Sequence, residues 1–450
     1  KSADRQNFSN TGYGYQYDNG GLPAPDYRIL KQTIESNFPY YEMGKDYDRF
    51  VAFYATGNYT FNSKYNFTAT GRYDGSNRLG KSSTARWLPT WSVAASWNVD
   101  RESFMRDVDW LDNLLFRASY GLTASMGPAN NSNVVLRSIN ANRPYLSERE
   151  SVIQLASLEN SELTWEKSYT ANIGIDATLL DRRLNVSIDV YQRKSFDLIS
   201  IIKTSGIGGE AYKAANYADM NSWGSELLLG GEIVRGRNWG WKSSLTVGYN
   251  ENQITNAKNI PDIFSLVVAE GGNKEGYPVR SLFSINYKGL DHNTGIPQFV
   301  DENGKTAAAV YLQDQKTEHL VYEGPVDPPL NGGFSNTFHY KAFSANIFIT
   351  YQAGNKIRLY PAFKTYYSDL DAMPREFNDR WVLPGDELLT NVPSIVEAFE
   401  AAQLNAAYPY NNYNYSTQRV AKGDFIRLKT VSLSYQLPAN TIQRIGFNSV

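Results

Sequence analysis

The residues of this chain best suited to chemistry are aromatic and amide side chains rather than acids, bases or nucleophiles. Tyr408, Tyr410, Tyr413 and Tyr415 are interleaved with Asn411, Asn412 and Asn414. Aromatic faces stack on sugar rings or peptide side chains, and each amide offers both donor and acceptor. These residues are the candidate substrate-binding element; the plainer alternative is a loop packed against its own rim or against a covering protein. Asp301-Glu302-Asn303-Gly304 and Asp369-Leu370-Asp371 gather oxygen ligands of the kind calcium takes. No EF-hand spacing follows either, so both read as solvated loops. Gly206-Ile207-Gly208-Gly209 is not followed by the helix pattern that a phosphate cradle needs, and it reads as a loop tip. Glu148 and Glu150 stand in a long loop without a basic or histidine partner. Asn58-Tyr59-Thr60 and Asn66-Phe67-Thr68 fit the glycosylation pattern but lie within strand-like runs, where Asn and Thr share one face. The only histidines, His292, His319 and His339, are far apart, and there is no cysteine. Thiol catalysis, disulfides and cysteine-ligated metals are thereby excluded. No zinc-binding His–Glu motif and no Gly-x-Ser-x-Gly elbow occurs. The expectation is a binding protein with no catalytic residue, no cofactor and no metal.

Side chains of this kind need a scaffold, and composition narrows the choice. The chain has 450 residues, with 21 Phe, 9 Trp and 32 Tyr, and 44 basic against 46 acidic groups. Length alone suggests about three domains, a division the composition gives no reason to accept. The pI near 6.1 offers no basic face for nucleic acid. At 42% hydrophobic the chain is too apolar for a disordered polymer. No stretch approaches the roughly 20 apolar residues of a membrane helix. Strands that cross a membrane need apolar residues only at every second position, so a transmembrane β-barrel stays open.

Period two dominates the chain. Phe67, Ala69 and Tyr73 alternate with Asn66, Thr68 and Arg72. Val93, Ala95 and Trp97 alternate with Ser92, Ser96 and Asn98. Phe116 and Ala118 alternate with Arg117 and Ser119, and Ile173 and Ile175 with Asn172 and Asp176. Val186, Ile188 and Val190 oppose Ser187 and Asp189; Leu245 and Val247 oppose Ser244 and Thr246; Ile347 and Ile349 oppose Asn346 and Thr350. Twelve strands are expected, near 50–61, 66–74, 90–99, 113–122, 168–180, 184–196, 222–234, 239–250, 280–290, 333–340, 343–352 and 424–437. A thirteenth at Ile296–Val300 would restore the rhythm of the connections. Ordinary strands average about 5–6 residues, whereas about 9–11 tilted residues cross a bilayer. Short turns at Asn62–Lys64, Asp181–Arg183 and Tyr340–Phe343 alternate with long polar loops at 74–87, 123–165, 197–221 and 251–280. Such asymmetric rims describe an outer-membrane barrel with its long loops outside the cell. Trp87, Trp91, Trp97, Trp165, Trp223, Trp239 and Trp241 gather near strand ends, as interfacial girdles require.

Five segments then resemble, in order, the SusC/RagA-like TonB-dependent porters of Bacteroidetes outer membranes. They are Arg72-Tyr73-Asp74-Gly75-Ser76-Asn77-Arg78-Leu79-Gly80 with Trp87-Leu88-Pro89-Thr90-Trp91; Leu115-Phe116-Arg117-Ala118-Ser119-Tyr120-Gly121; Leu163-Thr164-Trp165-Glu166-Lys167 through Asp189-Val190-Tyr191; Asn221-Ser222-Trp223-Gly224-Ser225-Glu226; and Lys422-Gly423-Asp424-Phe425-Ile426-Arg427-Leu428-Lys429. The resemblance implies an all-β fold, a large antiparallel transmembrane β-barrel of 22 strands, of which this chain supplies about 12–13. It also implies an N-terminal plug, a SusD-like surface lipoprotein as lid, and energy from a TonB–ExbB–ExbD complex. Residues 1–450 are read as an internal part of such a barrel domain, without plug, TonB box or final strands, so no coupling residue maps onto a position here. The expected activity is import of an oligomeric nutrient, glycan or peptide, at a Bacteroidetes-type Gram-negative outer membrane. The alternative is a structural or adhesive surface barrel that transports nothing. The expected neighbours are outer-membrane lipid, the lid lipoprotein, the TonB complex and an oligosaccharide or peptide, with no nucleic acid.

Overall fold

The computed structural model describes residues 2–10, 15–16, 22–23, 28, 41–79, 83–126, 134–142, 149–161, 163–203, 212–361, 363–364, 373–396, 399, 402 and 407–437. One antiparallel sheet of twelve strands dominates it, with every strand beside its neighbour in sequence. We number these β1 (Ser2–Asn10), β2 (Tyr41–Phe61), β3 (Tyr65–Ser76), β4 (Trp87–Asn98), β5 (Leu111–Ser125) and β6 (Glu166–Leu179). They continue as β7 (Leu184–Lys203), β8 (Tyr212–Arg235), β9 (Trp239–Ala257), β10 (Leu330–Tyr340), β11 (Phe343–Ala353) and β12 (Phe425–Tyr435).

The hairpin turns form where the chain tolerates left-handed backbone. Asn62 and Asp181, at φ 49° and 54°, are of the types that enter this region most readily. The second turn is further tied by the Arg182 amide donating to Asp112 Oδ2 at 2.9 Å. Lys341, at φ 51°, opens the two-residue turn between β10 and β11.

Several expectations change. The strand expected at 280–290 is not in the wall: it splits into Ser281–Ser284, which pairs with Val321–Pro325, and Tyr287–Leu290, which pairs with Pro297–Val300. The Ile296–Val300 element likewise belongs to this small sheet. Leu282, Phe283 and Ile285 are buried on all sides, so no face is left for lipid. The wall instead passes from β9 directly to β10, with 258–329 as one long excursion. The twelfth wall strand is β1, which pairs only with residues 41–49 of β2, while β3 pairs with 50–61. The expected loop at 197–221 is mostly ladder too, since β7 and β8 remain paired out to Lys203↔Tyr212.

A single-layer wall has little interior, and the buried residues gather at the long-loop rim. The described residues of 258–329 and 354–424 fold together around Ile263, Leu266, Phe283, Phe299, Phe363 and Tyr410. A smaller cluster of Leu79, Leu88, Leu163, Trp165 and Ile199 closes the rim above β3 to β7.

Candidate functional site

Adjacent rows of the ladder show how the wall separates two environments. One row runs Phe67, Ala95, Ala118, Ile173, Val190 across β3 to β7, and Ile173 is 65% exposed. The next row runs Asn66, Ser96, Arg117, Gly174, Asp189, Glu226 across β3 to β8. Because side chains alternate across a strand, the two rows point to opposite faces. Apolar groups in the open on one face suit lipid, and an ionic row on the other suits a watered lumen. This is the partition expected from the sequence for Phe67, Ala95, Ile173 and Val190 against Asn66, Arg117 and Asp189.

Ring contacts band the apolar face near both ends. Phe61, Tyr65, Trp97 and Phe116 stand in sequence at centroid separations of 6.4, 6.3 and 6.1 Å toward the short turns. Trp91, Tyr120, Tyr169 and Phe196 follow one another at 5.6, 6.0 and 5.7 Å toward the long loops. The amide of Asn336 is also on this face: it opposes Ser243 on the ladder and is buried, its Oδ1 accepting from the Trp241 indole at 2.9 Å. The indole supplies the partner that lipid cannot.

The lumen face is organised by Arg117. Its guanidinium donates to Asp176 through Nε at 2.6 Å and Nη2 at 3.1 Å, and to Asp189 through Nη2 at 3.0 Å. Ser187 Oγ adds a bond to Asp176 at 2.6 Å. The arginine reaches from β5 over β6 to β7 because Gly174 lies beneath it. A Cβ there would come within 2.5 Å of Asp189 Oδ1 and 2.9 Å of Arg117 Nη2. Two carboxylates thus share one guanidinium, and Glu226 stands opposite Asp189 on the next strand. Asn58 and Thr68, and Thr60 and Asn66, pair by side-chain hydrogen bonds at 2.8 and 2.9 Å. The two glycosylation-like triplets are thus ordinary ladder neighbours.

At the short-turn rim, Glu102 gathers three donors: Lys64 Nζ at 2.8 Å, Tyr65 OH at 2.7 Å and Trp97 Nε1 at 3.1 Å. The ammonium first, then the phenol and indole, lower its carboxyl to about 2. The carboxylate pins the β4–β5 connection under the β2–β3 turn.

The expected binding residues divide by helical geometry. Helix Ala407–Asn414 turns Tyr410, Tyr413 and Asn414 to one face and Tyr408 and Asn411 to another, as the 3.6-residue period requires. Tyr410 and Asn412 are each only 1% exposed. Asn412 clamps the backbone of Val310, accepting from its N–H and donating to its carbonyl, each at 3.0 Å. Asn414 does the same to Phe363 at 3.2 and 2.7 Å. Tyr410 donates to the Ser394 carbonyl, and Tyr413 to the Asn391 carbonyl at 2.9 Å. Burial pushes the phenols of Tyr413 and Tyr287 well above their usual range. Tyr410, Asn412, Tyr413 and Asn414 are therefore engaged in holding the rim together. Tyr408 and Asn411 stay exposed, and Tyr415 is half-buried beside a cavity.

Asp301 closes a hairpin turn, its Oδ1 accepting from the Asn303 and Lys305 amides at 2.9 and 2.7 Å. Among the described residues no three His, Asp or Glu converge on a metal position. Asp369 to Asp371, Gly206 to Gly209 and Glu148 lie outside the described residues, and Glu150 is exposed.

Two arginines of this rim carry no sequence signal. Arg358 donates to three backbone carbonyls, Val267 at 3.0 Å, Ser416 at 2.8 Å and Phe283 at 2.6 Å, and to Ser284 Oγ at 3.1 Å. Arg419 pairs with Glu376 at 2.5 Å, donates to the Tyr360 carbonyl at 3.0 Å and lies over the Phe363 ring. In the sequence both look like solvated loop arginines; the one hint is that Arg358 stands between Ile357 and Leu359.

An antiparallel sheet with one lipid-suited face, one ionic face, aromatic bands and rims of unequal length is the wall of a transmembrane β-barrel. Residues 2–360 match the family described as TonB dependent receptor-like, beta-barrel, and the chain belongs to that family. It is 27% identical over 439 residues to the TonB-dependent receptor P39 of Formosa agariphila, covering 88% of this chain and 40% of that protein. It is 26% identical over 361 residues to the TonB-dependent receptor SusC of Bacteroides thetaiotaomicron, covering 76% of this chain and 34% of that one. In fold it is similar to the RagAB peptide transporter, with a TM-score of 0.73 at 23% identity, over 93% of this chain and 45% of that chain. The chain thus spans less than half the length of the proteins it matches.

Proposed function

We propose that these residues form wall and rim of a porter that imports an oligomeric nutrient, glycan or peptide, across a Bacteroidetes-type outer membrane. The ionic row built on Arg117 carries the reading. A wall that faced lipid on both sides has no use for Arg117, Asp176, Asp189 and Glu226 on one face. In a porter, that face meets a plug and the water around it. Twelve strands leave β1 and β12 as outer edges of the sheet, and unpaired backbone groups in hydrocarbon cost several kcal/mol each. In this reading further strands of the same polypeptide complete the ring, a plug fills it, and TonB–ExbB–ExbD supplies the pull. The folded long-loop rim is then the seat of a SusD-like lipoprotein lid. The relative named SusC and the fold shared with a peptide transporter support the assignment.

The test is uptake by living cells. Fluorescent oligosaccharide or oligopeptide should accumulate in the periplasm of cells carrying the full-length protein, and accumulation should stop when TonB is removed. A lipoprotein should co-purify from detergent-solubilised membranes. Uptake that continues without TonB would sink active import, and surface attachment without uptake would establish the adhesive alternative.

A further inference from the structure

The apolar side of the wall is not smooth at its short-turn end. There Trp110, Leu180, Leu184, Gly231 and Ile233 line a groove of about 670 Å³. Leu184 shares its face with Val186, Ile188 and Val190, and it stands between Leu179 and Gly231 on the ladder. The groove therefore opens on the side that suits lipid. Gly231 deepens it by placing no side chain between Leu184 and Ile233. Its backbone is not left-handed, and an added Cβ would lie 3.7 Å from Leu184 Cδ1 and 3.8 Å from Ile233 Cδ1. The Arg183 carbonyl oxygen, at 3.3 Å, would have to give by a few tenths of an ångström. The fold thus has only a slight reason of its own for glycine here.

The aromatic band is interrupted at the same place. Toward the short turns it runs through Tyr65, Trp97 and Phe116 on β3 to β5, and through Trp241, Phe338, Phe343 and Tyr435 on β9 to β12. The short-turn ends of β6, β7 and β8 carry no ring. Trp110, from the β4–β5 connection, stands there instead and is 58% exposed. An amphipathic ring of this kind sits at headgroup level.

Both signs of charge border the groove. Glu232 is satisfied by Arg235 and by Lys242, the latter at 2.6 Å. Asp109, Asp181 and Arg183 also border it, and among the described residues they form no ion pair. Arg183 Nη2 donates to the Ile233 carbonyl at 3.3 Å, which holds the guanidinium at the edge of the groove. Two carboxylates beside one guanidinium repel a group that is only anionic. They match a group with a negative centre and a positive one close together.

We propose that this groove binds a phospholipid of the surrounding membrane whose headgroup carries a phosphate and a primary ammonium. The phosphate pairs with Arg183 and the ammonium with Asp181 and Asp109. One acyl chain lies over Gly231, along Leu180, Leu184 and Ile233. Bulk lipid is as apolar as these side chains, so the tail gains little by entering. Selection falls on the headgroup. The inference needs the membrane wall and does not depend on import.

Full-length protein is reconstituted in phosphatidylcholine vesicles with a trace of phospholipid that bears a photoreactive group in its acyl chain. The trace lipid has an ethanolamine, a choline or a glycerol headgroup, and cross-linked peptides are identified by mass spectrometry. Peptides containing Trp110, Leu180 or Ile233 should be labelled about three- to fivefold more by the ethanolamine lipid, the ratio that partly screened charge contacts give. Peptides around Ala95, on the same face away from the groove, should be labelled equally by all three. Changing Asp109→Asn and Asp181→Asn together should remove the preference; asparagine also accepts the left-handed backbone at 181, so the turn is kept. Gly231→Phe should fill the groove and cut its labelling while leaving that around Ala95 unchanged. Equal labelling of the groove by the three lipids, or a preference for the glycerol lipid, would overturn the proposal. So would a preference that survives the paired aspartate change, or groove labelling that survives Gly231→Phe. The import reading would stand in each case.

Discussion

Replacing Ile173 by arginine tests the two-faced wall where it is most exposed to error. Ile173 is near the middle of the 14-residue β6, flanked on the ladder by Ala118 and Val190, and it lies 65% open on the apolar face. At about 3.4 Å per residue, six or seven residues separate it from either strand end by roughly 20 Å along the strand. A tilt of about 40° reduces that to roughly 15 Å along the membrane normal, about half of a bilayer core. An arginine there cannot carry its charge to either interface without thinning the bilayer, and the cost at midplane is about 2–4 kcal/mol. Asn172, one residue away, points to the lumen between Ser119 and Tyr191. Arginine at that position meets water, and we expect a cost below about 1 kcal/mol. The assay is reversible urea unfolding of the full-length protein in vesicles, followed by tryptophan fluorescence. Ile173→Arg should shift the midpoint well below that of Asn172→Arg, and the gap should narrow in shorter-chain lipid. Equal shifts, or the larger loss for Asn172→Arg, would refute the assignment of faces.

Gly174→Ala should loosen the Arg117 network, because the new Cβ collides with Asp189 Oδ1 and the guanidinium; a loss of about 1–3 kcal/mol in the same assay is expected. Asn412→Ala leaves the Val310 N–H and carbonyl buried without partners, each at about 1–3 kcal/mol. Hydrogen exchange should then rise across the rim lobe and not in the wall, while exposed Asn411→Ala should leave exchange unchanged. Glu102 titrates near 2 when folded against an ordinary 4.5, so its tie is complete above the ordinary value and fades as pH falls toward 2. The melting difference between wild type and Glu102→Gln should be full at neutral pH and shrink over that interval; a constant difference would discredit the Lys64–Tyr65–Trp97 cradle. Protease applied to intact cells should cut within 258–329 or 354–424 and spare the Asp181–Arg183 turn; cleavage after Arg182 would invert the orientation.

Alternation was enough to place most of the wall, because a strand between lipid and water must change polarity at every residue. Phe67 against Asn66, Ile173 against Asn172 and Val190 against Asp189 declare their faces without any knowledge of partners. The turn at Asn62–Lys64, the aromatic bands and the family likeness were legible for the same local reason. The signal failed wherever both faces of a segment meet one environment. Ser2–Asn10 and the outer reach of β8 are largely polar on both sides and so resemble loop, while the outer reach of β7 carries Leu198, Ile199, Ile201 and Ile202 without strict alternation. Leu282–Ile285 is buried on both sides and so resembles wall. The fates of Tyr410, Asn412 and Arg358 were hidden for a different reason. Asn412 is a clamp only because Val310, 102 residues away, is folded against it. Arg358 ties the rim together only because three distant carbonyls are folded around it. An amide or a guanidinium has the same character in any sequence, and its partners decide whether it holds the protein together or meets a ligand.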